Sequence, residues 1–317
     1  MSAARAHHFI SQCYLKGFTE NGSKNSKLFV VGLQERKYFQ TKPANVAQRR
    51  DFNRVEGRPP GEIEELLAPF EGQAAAALLK LAADRSLDDV DAWLSVLNLV
   101  ALFAVRHPLH REQVRQFTER IARLTMEMTL ATRERWESQV RQATDAGFMD
   151  GQSDVTYEQM RDFVQRGEYT VNLANARHLQ LEFQLHDAVL ETLVDRKWTL
   201  WTSTKDVGHF ITSDRPVILM NADGRAPTLQ RPIGHGMMGT VVCFPVCREL
   251  FAVGAFEGQQ GVREASAQIV AGLNRLVLAH ADREAYGATG REPVEFDGRA
   301  VSFMNSLEAL SRQGKES

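Results

Sequence analysis

Apolar positions at helical spacing dominate the middle of the chain. From Glu62 onward, apolar residues recur every three or four positions, which predicts an amphipathic helix that Pro69 should kink. Further helices are predicted over residues 86–106, 109–144, 157–166, 170–195 and 263–280. The pattern therefore predicts a helical part at about 62–195.

Short runs of β-branched and aromatic residues mark the rest of the chain as rich in strands. Residues 27–31 and 36–40 flank a turn at Gly32 and predict a hairpin. Five more strands are predicted, over residues 198–202, 209–212, 217–220, 240–244 and 250–253. We therefore expect an α+β fold, with a large middle of about five helices packed on a small mixed or antiparallel sheet. The hairpin and the C-terminal strands would build that sheet.

The order of these elements predicts a single domain over residues 1–290. Its helical part is expected at about 62–195, and its sheet-rich part at about 196–290 together with 27–40. Residues 291–317 are polar and contain glycine. We expect them to form an extension with a disordered tail.

Composition narrows the class of protein but not its partners. The 317 residues carry 38 Lys and Arg against 40 Asp and Glu, a net charge of -2, so no overall field favours nucleic acid. The longest apolar stretch, residues 93–105, is shorter than the roughly 20 residues that cross a bilayer. The N-terminus shows no secretory signal, and Cys13, Cys243 and Cys247 fit reduced thiols. These features predict a cytoplasmic protein without a membrane partner or a strong nucleic-acid signature.

Five blocks of residues along the chain resemble a known family. The opening HHFISQCYLKGF is followed by ALFAVRHPLHR, FITSDRPV, CFPVCRELF and GLNRLVLAHADREAYG, which together span residues 6 to 287. In these blocks the chain resembles domain-of-unknown-function family 4238 over nearly its whole length. The resemblance implies a mainly bacterial, intracellular protein of an uncharacterised family. Ser11 departs from the usual proline of the family, and Arg215 from its common asparagine.

Two glutamates of the first predicted helix are candidate ligands or catalysts. Glu64 and Glu71 fall within about 20° of each other around the helix axis. Paired, half-buried carboxylates can hold a divalent cation such as Mg²⁺ or Mn²⁺, or can divide acid and base roles. The alternative is that both are paired with Arg106 or Arg111 of a neighbouring helix.

The N-terminal block offers a histidine and an amide. His8 can act as general base or metal ligand if it is held near the carboxylates, because its ordinary pKa is about 6.5. The alternative is an exposed or capping histidine. Gln12, one helical turn later, can share such a site, whereas His7 is expected to point elsewhere.

The later blocks add an aspartate, arginines and an asparagine. Asp214 ends a predicted strand, where a metal or substrate contact and a turn-forming bond to its own backbone are equally open. Arg215 is expected to keep Asp214 ionised. Arg106 directly follows the apolar run, so it should pair with a glutamate at the core edge or meet an anionic ligand. Arg111 and Asn274 complete the predicted substrate-binding group.

Two hypotheses of function follow, since P-loop, dinucleotide, zincin, serine-esterase and calcium-loop motifs are all missing from the sequence. The first is a metal-dependent, nuclease-like hydrolase acting on a phosphodiester or phosphate ester. It would use His8, Gln12, Glu71 and Asp214 in catalysis and Glu64, Glu71 and Asp214 as metal ligands. The second is a non-enzymatic binding component of a multi-gene bacterial system, in which the same residues form a structural network.

Overall fold

The computed structural model describes residues 6–149, 155–167, 169–228 and 230–316. Within them the chain forms nine α-helices and thirteen β-strands, which confirms the α+β class and exceeds the predicted number of helices. The helices are α1 (Gln12–Leu15), α2 (Glu62–Asp84), α3 (Val90–Val105), α4 (Pro108–Thr129), α5 (Arg133–Asp145), α6 (Tyr157–Arg166), α7 (Asn175–Val194), α8 (Ala267–His280) and α9 (Ser306–Glu316). The strands are β1 (Ala6–His8), β2 (Leu28–Gly32), β3 (Lys37–Thr41), β4 (Gln48–Arg50), β5 (Lys197–Thr202), β6 (Thr212–Ser213), β7 (Ile218–Asn221), β8 (Thr240–Cys247), β9 (Leu250–Ala255), β10 (Gly261–Glu264), β11 (Glu284–Gly287), β12 (Pro293–Phe296) and β13 (Arg299–Ser302).

The chain divides into two compact units. The first unit comprises Met1–His107 and Leu179–Ser317, and the second comprises Pro108–His178. All the strands lie in the first unit, and α4, α5 and α6 lie in the second. In the second unit, α5 and α6 bury none of their described side chains.

The strands of the first unit form four sheets. The five-stranded sheet has the order β10-β5-β9-β8-β7 and is mixed, because β10 pairs with β5 in parallel. The four-stranded sheet has the order β3-β2-β11-β6 and is antiparallel. The predicted hairpin is confirmed as β2 and β3, and its turn is formed at Arg36 with a φ of 51°. Two further pairs, β1 with β4 and β12 with β13, complete the strands.

Two predicted helices have different bounds in the structure. The helix predicted over 109–144 is two helices, because the Thr132 side chain accepts the Arg135 N–H and caps a new helix. The helix predicted over 263–280 begins at Ala267, where the Ser266 hydroxyl accepts the Ile269 N–H. The residues before it pair with β5 instead, as strand β10.

The described part of residues 291–317, predicted as an extension with a disordered tail, contains regular elements. This segment folds as β12, β13 and α9, and its Phe303 is fully buried in the core. Four apolar side chains anchor it, namely Val294, Phe296, Phe303 and Leu307. They are spaced widely among polar residues, so the average composition of the segment hides them.

The apolar run over residues 93–105 forms a buried helix, as predicted. In α3 the Asp89 side chain caps the start by accepting the Ala92 N–H at 2.9 Å. Its Phe103 packs 5.2 Å from the ring of Tyr14, which also stacks on Phe244 of β8. No single helix among the described residues is long and apolar enough to span a membrane, although α3 and α4 reach that length and composition when taken together.

Candidate functional site

Three polar side chains from distant parts of the sequence converge in the first unit. His107 follows α3, Asp214 follows β6, and Asp282 lies between α8 and β11. One ligand atom from each residue lies within 4.8 Å of the ligand atoms of the other two. Over the described ranges of the chain, no other group of three or more His, Cys, Asp or Glu side chains comes this close together. We call His107, Asp214 and Asp282 the His-Asp cluster.

The pairing of β6 with β11 places Asp214 in this cluster. The two strands are antiparallel with Ser213 opposite Ala285, so Asp214 lies opposite Glu284 at the start of β11. The Asp214 N–H donates to the carbonyl of Glu284 at 3.0 Å. Pro216, which has no backbone N–H, prevents the ladder from continuing.

The Asp214 carboxylate accepts hydrogen bonds from three consecutive backbone N–H groups. Asp282 donates to Oδ1 at 3.0 Å, while Arg283 and Glu284 donate to Oδ2 at 2.8 and 3.2 Å. The carboxylate therefore holds the turn before β11. A carboxylate has about four acceptor positions, so one position is left for a further ligand.

Burial dominates the acidity of Asp214, a residue only 2% exposed. It raises the pKa of Asp214 to about 7; the negative charge of Asp282 acts in the same direction, and the three N–H donors oppose both. The expectation that Arg215 keeps this carboxylate ionised is therefore not met. A cation bound beside Asp214 would favour the ionised form.

His107 is held by packing at the end of α3. The residue is 2% exposed, and its ring meets the ring of Phe9 edge-on, with centroids 5.3 Å apart. Pro108 follows it, and a residue before proline avoids helical backbone, so α3 ends at this point. These contacts fix the position of the imidazole at the cluster.

Asp282, the third member of the cluster, and the nearby Glu284 give the site more acidic than basic side chains. Asp282 is half-buried, so it supplies the cluster's more accessible carboxylate. Nearby in sequence, Glu284 accepts the Tyr286 hydroxyl at 2.9 Å, and burial raises the pKa of Glu284. Two carboxylates, which are hard donors, and one imidazole, a borderline donor, form a set that suits divalent cations.

A second polar group surrounds Glu71 of α2. The Ser11 hydroxyl donates to Glu71 Oε1 at 2.6 Å and so joins the N-terminal segment to the helix. Ser11 thus has a structural role between these two elements. Gln12 begins α1 immediately after it and is half-buried.

His8 is electrostatically linked to Glu71 and Arg106. Burial lowers the pKa of His8, whereas hydrogen bonds to the backbone of Pro43 and Ala44 and the negative charge of Glu71 raise it, and the positive charge of Arg106 adds a smaller lowering. Its Nε2 atom is buried and has no hydrogen-bond partner among the described residues. His8 is therefore a neutral imidazole at pH 7 with a nitrogen left for proton transfer.

Glu64 belongs to a third polar group, together with Asn53 and His7. The Asn53 side-chain amide donates to Glu64 Oε1 at 2.7 Å, and His7 Nδ1 lies 3.2 Å from the same oxygen. His7 Nδ1 also accepts the Asn53 backbone N–H at 2.9 Å. The expectation that His7 points elsewhere is wrong, since its side chain is buried against a predicted site residue.

The structure does not bring Glu64 and Glu71 to one ion. Seven residues of α2 separate them, which is about 10 Å along a helix axis. Each carboxylate also contacts a different set of partners. The sequence-based prediction rested on alignment around the helix axis. This alignment does not make Glu64 and Glu71 ligands of one ion.

The predicted substrate-binding residues occupy different places. Arg106 is 3% exposed at the end of α3, with its guanidinium carbon 5.9 Å from the centre of the Phe52 ring. Arg111 belongs to α4 of the second unit and is 8% exposed. Arg106 is thus the predicted arginine that adjoins the His-Asp cluster, next to His107 in the chain.

Asn274, for which substrate binding was predicted, bonds to the backbone of surrounding loops. The residue is fully buried in α8, and its Oδ1 accepts the Ile211 N–H at 2.9 Å. Its Nδ2 donates to the carbonyls of His209 and Pro293 at 2.9 and 2.8 Å. These bonds tie α8 to two loops and leave one amide lone pair unused.

The sequence-based prediction named one member of the His-Asp cluster and missed two. His107 and Asp282 lie inside the blocks ALFAVRHPLHR and GLNRLVLAHADREAYG, but neither was selected. One signal could have marked these residues as candidates. Each of the three lies just beyond the end of a helix or a strand, where functional side chains often occur. Only the β6–β11 register shows that two of these ends meet.

Comparison with known proteins identifies the family but no activity. A family profile described as a protein of unknown function (DUF4238) matches residues 6–291. No curated protein and no solved structure matches the chain significantly. The matched segment contains the complete His-Asp cluster and the groups around Glu64 and Glu71. Since the profile covers nearly the full length, the chain belongs to the DUF4238 family of proteins of unknown function.

Proposed function

We propose that the protein is a metal-dependent hydrolase acting on a phosphodiester or a phosphate ester, with a divalent cation at the His-Asp cluster. The convergence of ligand atoms from His107, Asp214 and Asp282 within 4.8 Å carries this proposal. Three protein ligands leave coordination positions open for water and for a substrate oxygen. In this proposal, Asp214 remains a metal ligand as predicted, and His107 and Asp282 take the places of Glu64 and Glu71.

The donor set favours Mg²⁺ or Mn²⁺. Two of the three ligands are carboxylates, and hard, oxygen-preferring cations bind such sites. Burial of Asp214 disfavours its charged form, so a cation would replace the proton that this carboxylate otherwise holds near pH 7. When bound, such a cation acidifies water and stabilises the charge on a phosphoryl oxygen.

Arg106 and His8 supply the remaining groups for hydrolysis. Arg106 adjoins His107 in the chain and carries a buried positive charge, which suits an anionic phosphate group. Burial, with a smaller contribution from the same charge, lowers the pKa of His8 and so favours an imidazole that can accept a proton. The backbone of Pro43 and Ala44 and the negative charge of Glu71 act on His8 in the opposite direction.

A second candidate is a binding protein in which these polar residues form a structural network. The hydroxyl of Tyr14 donates to the Pro245 carbonyl and accepts from Thr212, both at 2.7 Å. Ser11 and His7 reach α2 through Glu71 and Glu64. These contacts favour the second candidate because they give the N-terminal block a structural purpose without catalysis.

Hydrolysis by the purified full chain separates the two candidates. The test substrates are bis(p-nitrophenyl) phosphate, p-nitrophenyl phosphate, single-stranded DNA and RNA, each with Mn²⁺ or Mg²⁺. Wild-type protein should hydrolyse at least one of them, and Asp282→Asn should lose this activity while remaining folded. Asp223→Asn is the matched control, because Asp223 pairs with Arg231 at an exposed loop. Equal rates in wild type and Asp282→Asn, or no hydrolysis of any substrate, would overturn the proposal.

A further inference from the structure

Helix α4 of the second unit presents an apolar seam to solvent. Phe117, Ile121, Leu124 and Met128 are 67%, 47%, 51% and 59% exposed. At 100° per residue, these four side chains fall within about 60° around the helix. Their alternating spacing of four, three and four residues is that of the core positions of a coiled coil. We call these four residues the α4 seam.

Most charged residues of α4 are already paired within the helix. Arg115 lies 2.8 Å from both Glu112 and Glu119, and Arg123 lies 2.9 Å from Glu119. Arg120 and Glu127 differ, because neither forms an ion pair or a hydrogen bond with another described residue. Two opposite charges on this helix are thus left for an outside partner.

Arg120 and Glu127 lie along the same side of the α4 seam. They are seven residues apart, and each stands about 70 to 90° from the centre of the seam. In a coiled coil, these are flanking positions whose charges select the partner and its orientation. The opposite flank carries Thr118 and Thr125, which are uncharged.

We propose that the α4 seam is an interaction surface for α4 of a second copy of this chain, paired antiparallel about a twofold axis. Placing Ile121 opposite Leu124 of the partner subunit also places Phe117 opposite Met128 of the partner subunit. The same register brings Arg120 next to Glu127 of the partner subunit. Because the contact is self-complementary, each apolar and each charged pair forms twice.

The charge pattern selects the antiparallel arrangement over the parallel one. In a parallel pair, a flanking residue meets the residue five positions later on the partner, so Arg120 would face the uncharged Thr125 of the partner subunit. Only the antiparallel register gives both unpaired charges an opposite partner. The seam spans about 17 Å of helix, so the dimer should be weak, with a dissociation constant on the order of micromolar or higher.

Sedimentation velocity of the full chain between about 1 and 500 µM tests this interface. Wild type should show a concentration-dependent monomer–dimer equilibrium. Leu124→Glu should abolish the dimer, and Arg120→Glu should weaken it by about tenfold or more, since like charges then face each other. Arg135→Glu makes the same charge change at an exposed position on α5 and should leave the equilibrium unchanged. Circular dichroism verifies that each variant is folded.

Exchanging the charges of Arg120 and Glu127 tests the antiparallel pairing most directly. The double variant Arg120→Glu/Glu127→Arg should recover dimerisation to within about threefold of wild type. A mixture of Arg120→Glu with Glu127→Arg should form heterodimers, because opposite charges then meet at both ends of the seam. A wild type that stays monomeric throughout this range would overturn the proposal. A double variant that dimerises as weakly as the single variants would also overturn the proposal.

Discussion

The Asp282 backbone N–H donates a hydrogen bond to Asp214 Oδ1 at 3.0 Å, while the side chain of Asp282 brings a second negative charge to the same carboxylate. The hydrogen bond favours the ionised form of Asp214, whereas the charge and the burial of the site oppose it. Burial prevails, and the pKa of Asp214 rises to about 7. A divalent cation bound by both carboxylates would offset the repulsion between their negative charges.

Asp214 should make the metal-free protein less stable as the pH rises from about 5 to 8. Its pKa is raised from 3.8 to about 7 in the folded chain, so the folded state keeps a proton that the unfolded chain releases. The contribution to stability is complete below about pH 4 and is lost as the pH rises through 7. The full shift of about three pKa units corresponds to roughly 4 kcal/mol, of which about two units, roughly 3 kcal/mol, are lost between pH 5 and 8.

Urea unfolding at pH 5 and pH 8, with a chelator present, measures this effect. Asp214→Asn should lack the Asp214 contribution to the pH dependence while keeping those of His8 and the other titrating groups. The difference between the two proteins therefore isolates Asp214. The same pH dependence in both would show that Asp214 does not hold a proton at neutral pH.

His8→Gln should slow hydrolysis without weakening the metal site. If the neutral imidazole accepts a proton during the reaction, its loss should lower kcat by about 100-fold or more. The affinity for Mn²⁺ should stay within about twofold of wild type, because His8 is not a member of the His-Asp cluster. Steady-state kinetics and calorimetry provide the two readouts. His280→Gln is the control, and an unchanged kcat in His8→Gln would remove His8 from the mechanism.

Tyr14→Phe should destabilise the first unit. The Tyr14 hydroxyl bonds Thr212 and the Pro245 carbonyl in a buried site, so its removal leaves buried polar groups unsatisfied. Such a loss costs about 1 to 3 kcal/mol. Tyr38→Phe provides a comparison. The Tyr38 hydroxyl accepts the Leu307 N–H, but Tyr38 itself is 38% exposed. Urea unfolding should show the larger loss for Tyr14→Phe; equal losses would contradict the anchoring role of Tyr14.

Periodicity was enough to predict the fold class and several elements. The bounds of α6 and the start of α2 at Glu62 agree with the apolar spacing, because these segments meet the rule of one apolar residue every three or four positions. The β11 strand was missed, because Glu284–Gly287 lacks the run of β-branched and aromatic residues that predicted the other strands. Strands β12 and β13 were missed as well, because each includes a charged residue.

The candidate site was less predictable than the fold. Asp214 was found because a carboxylate after a core strand is conspicuous in the sequence. The other two cluster members come from positions 107 and 282, and the sequence contains no local signal that these positions meet. Their proximity depends on the antiparallel β6–β11 pairing and on the packing of His107 against Phe9. Glu64 and Glu71 were grouped too closely because rotation around a helix was considered without the rise along it.

Calorimetric titration of Mn²⁺ into wild type and Asp282→Asn is the decisive measurement for the metal site. The variant keeps the backbone N–H that Asp214 accepts and removes one candidate ligand charge, so the fold should survive. We expect one Mn²⁺ per wild-type chain and an affinity at least about 100-fold lower for Asp282→Asn, with Asp223→Asn equal to wild type. Wild type and Asp282→Asn binding Mn²⁺ with the same affinity, or wild type binding none, would contradict a metal centre at His107, Asp214 and Asp282.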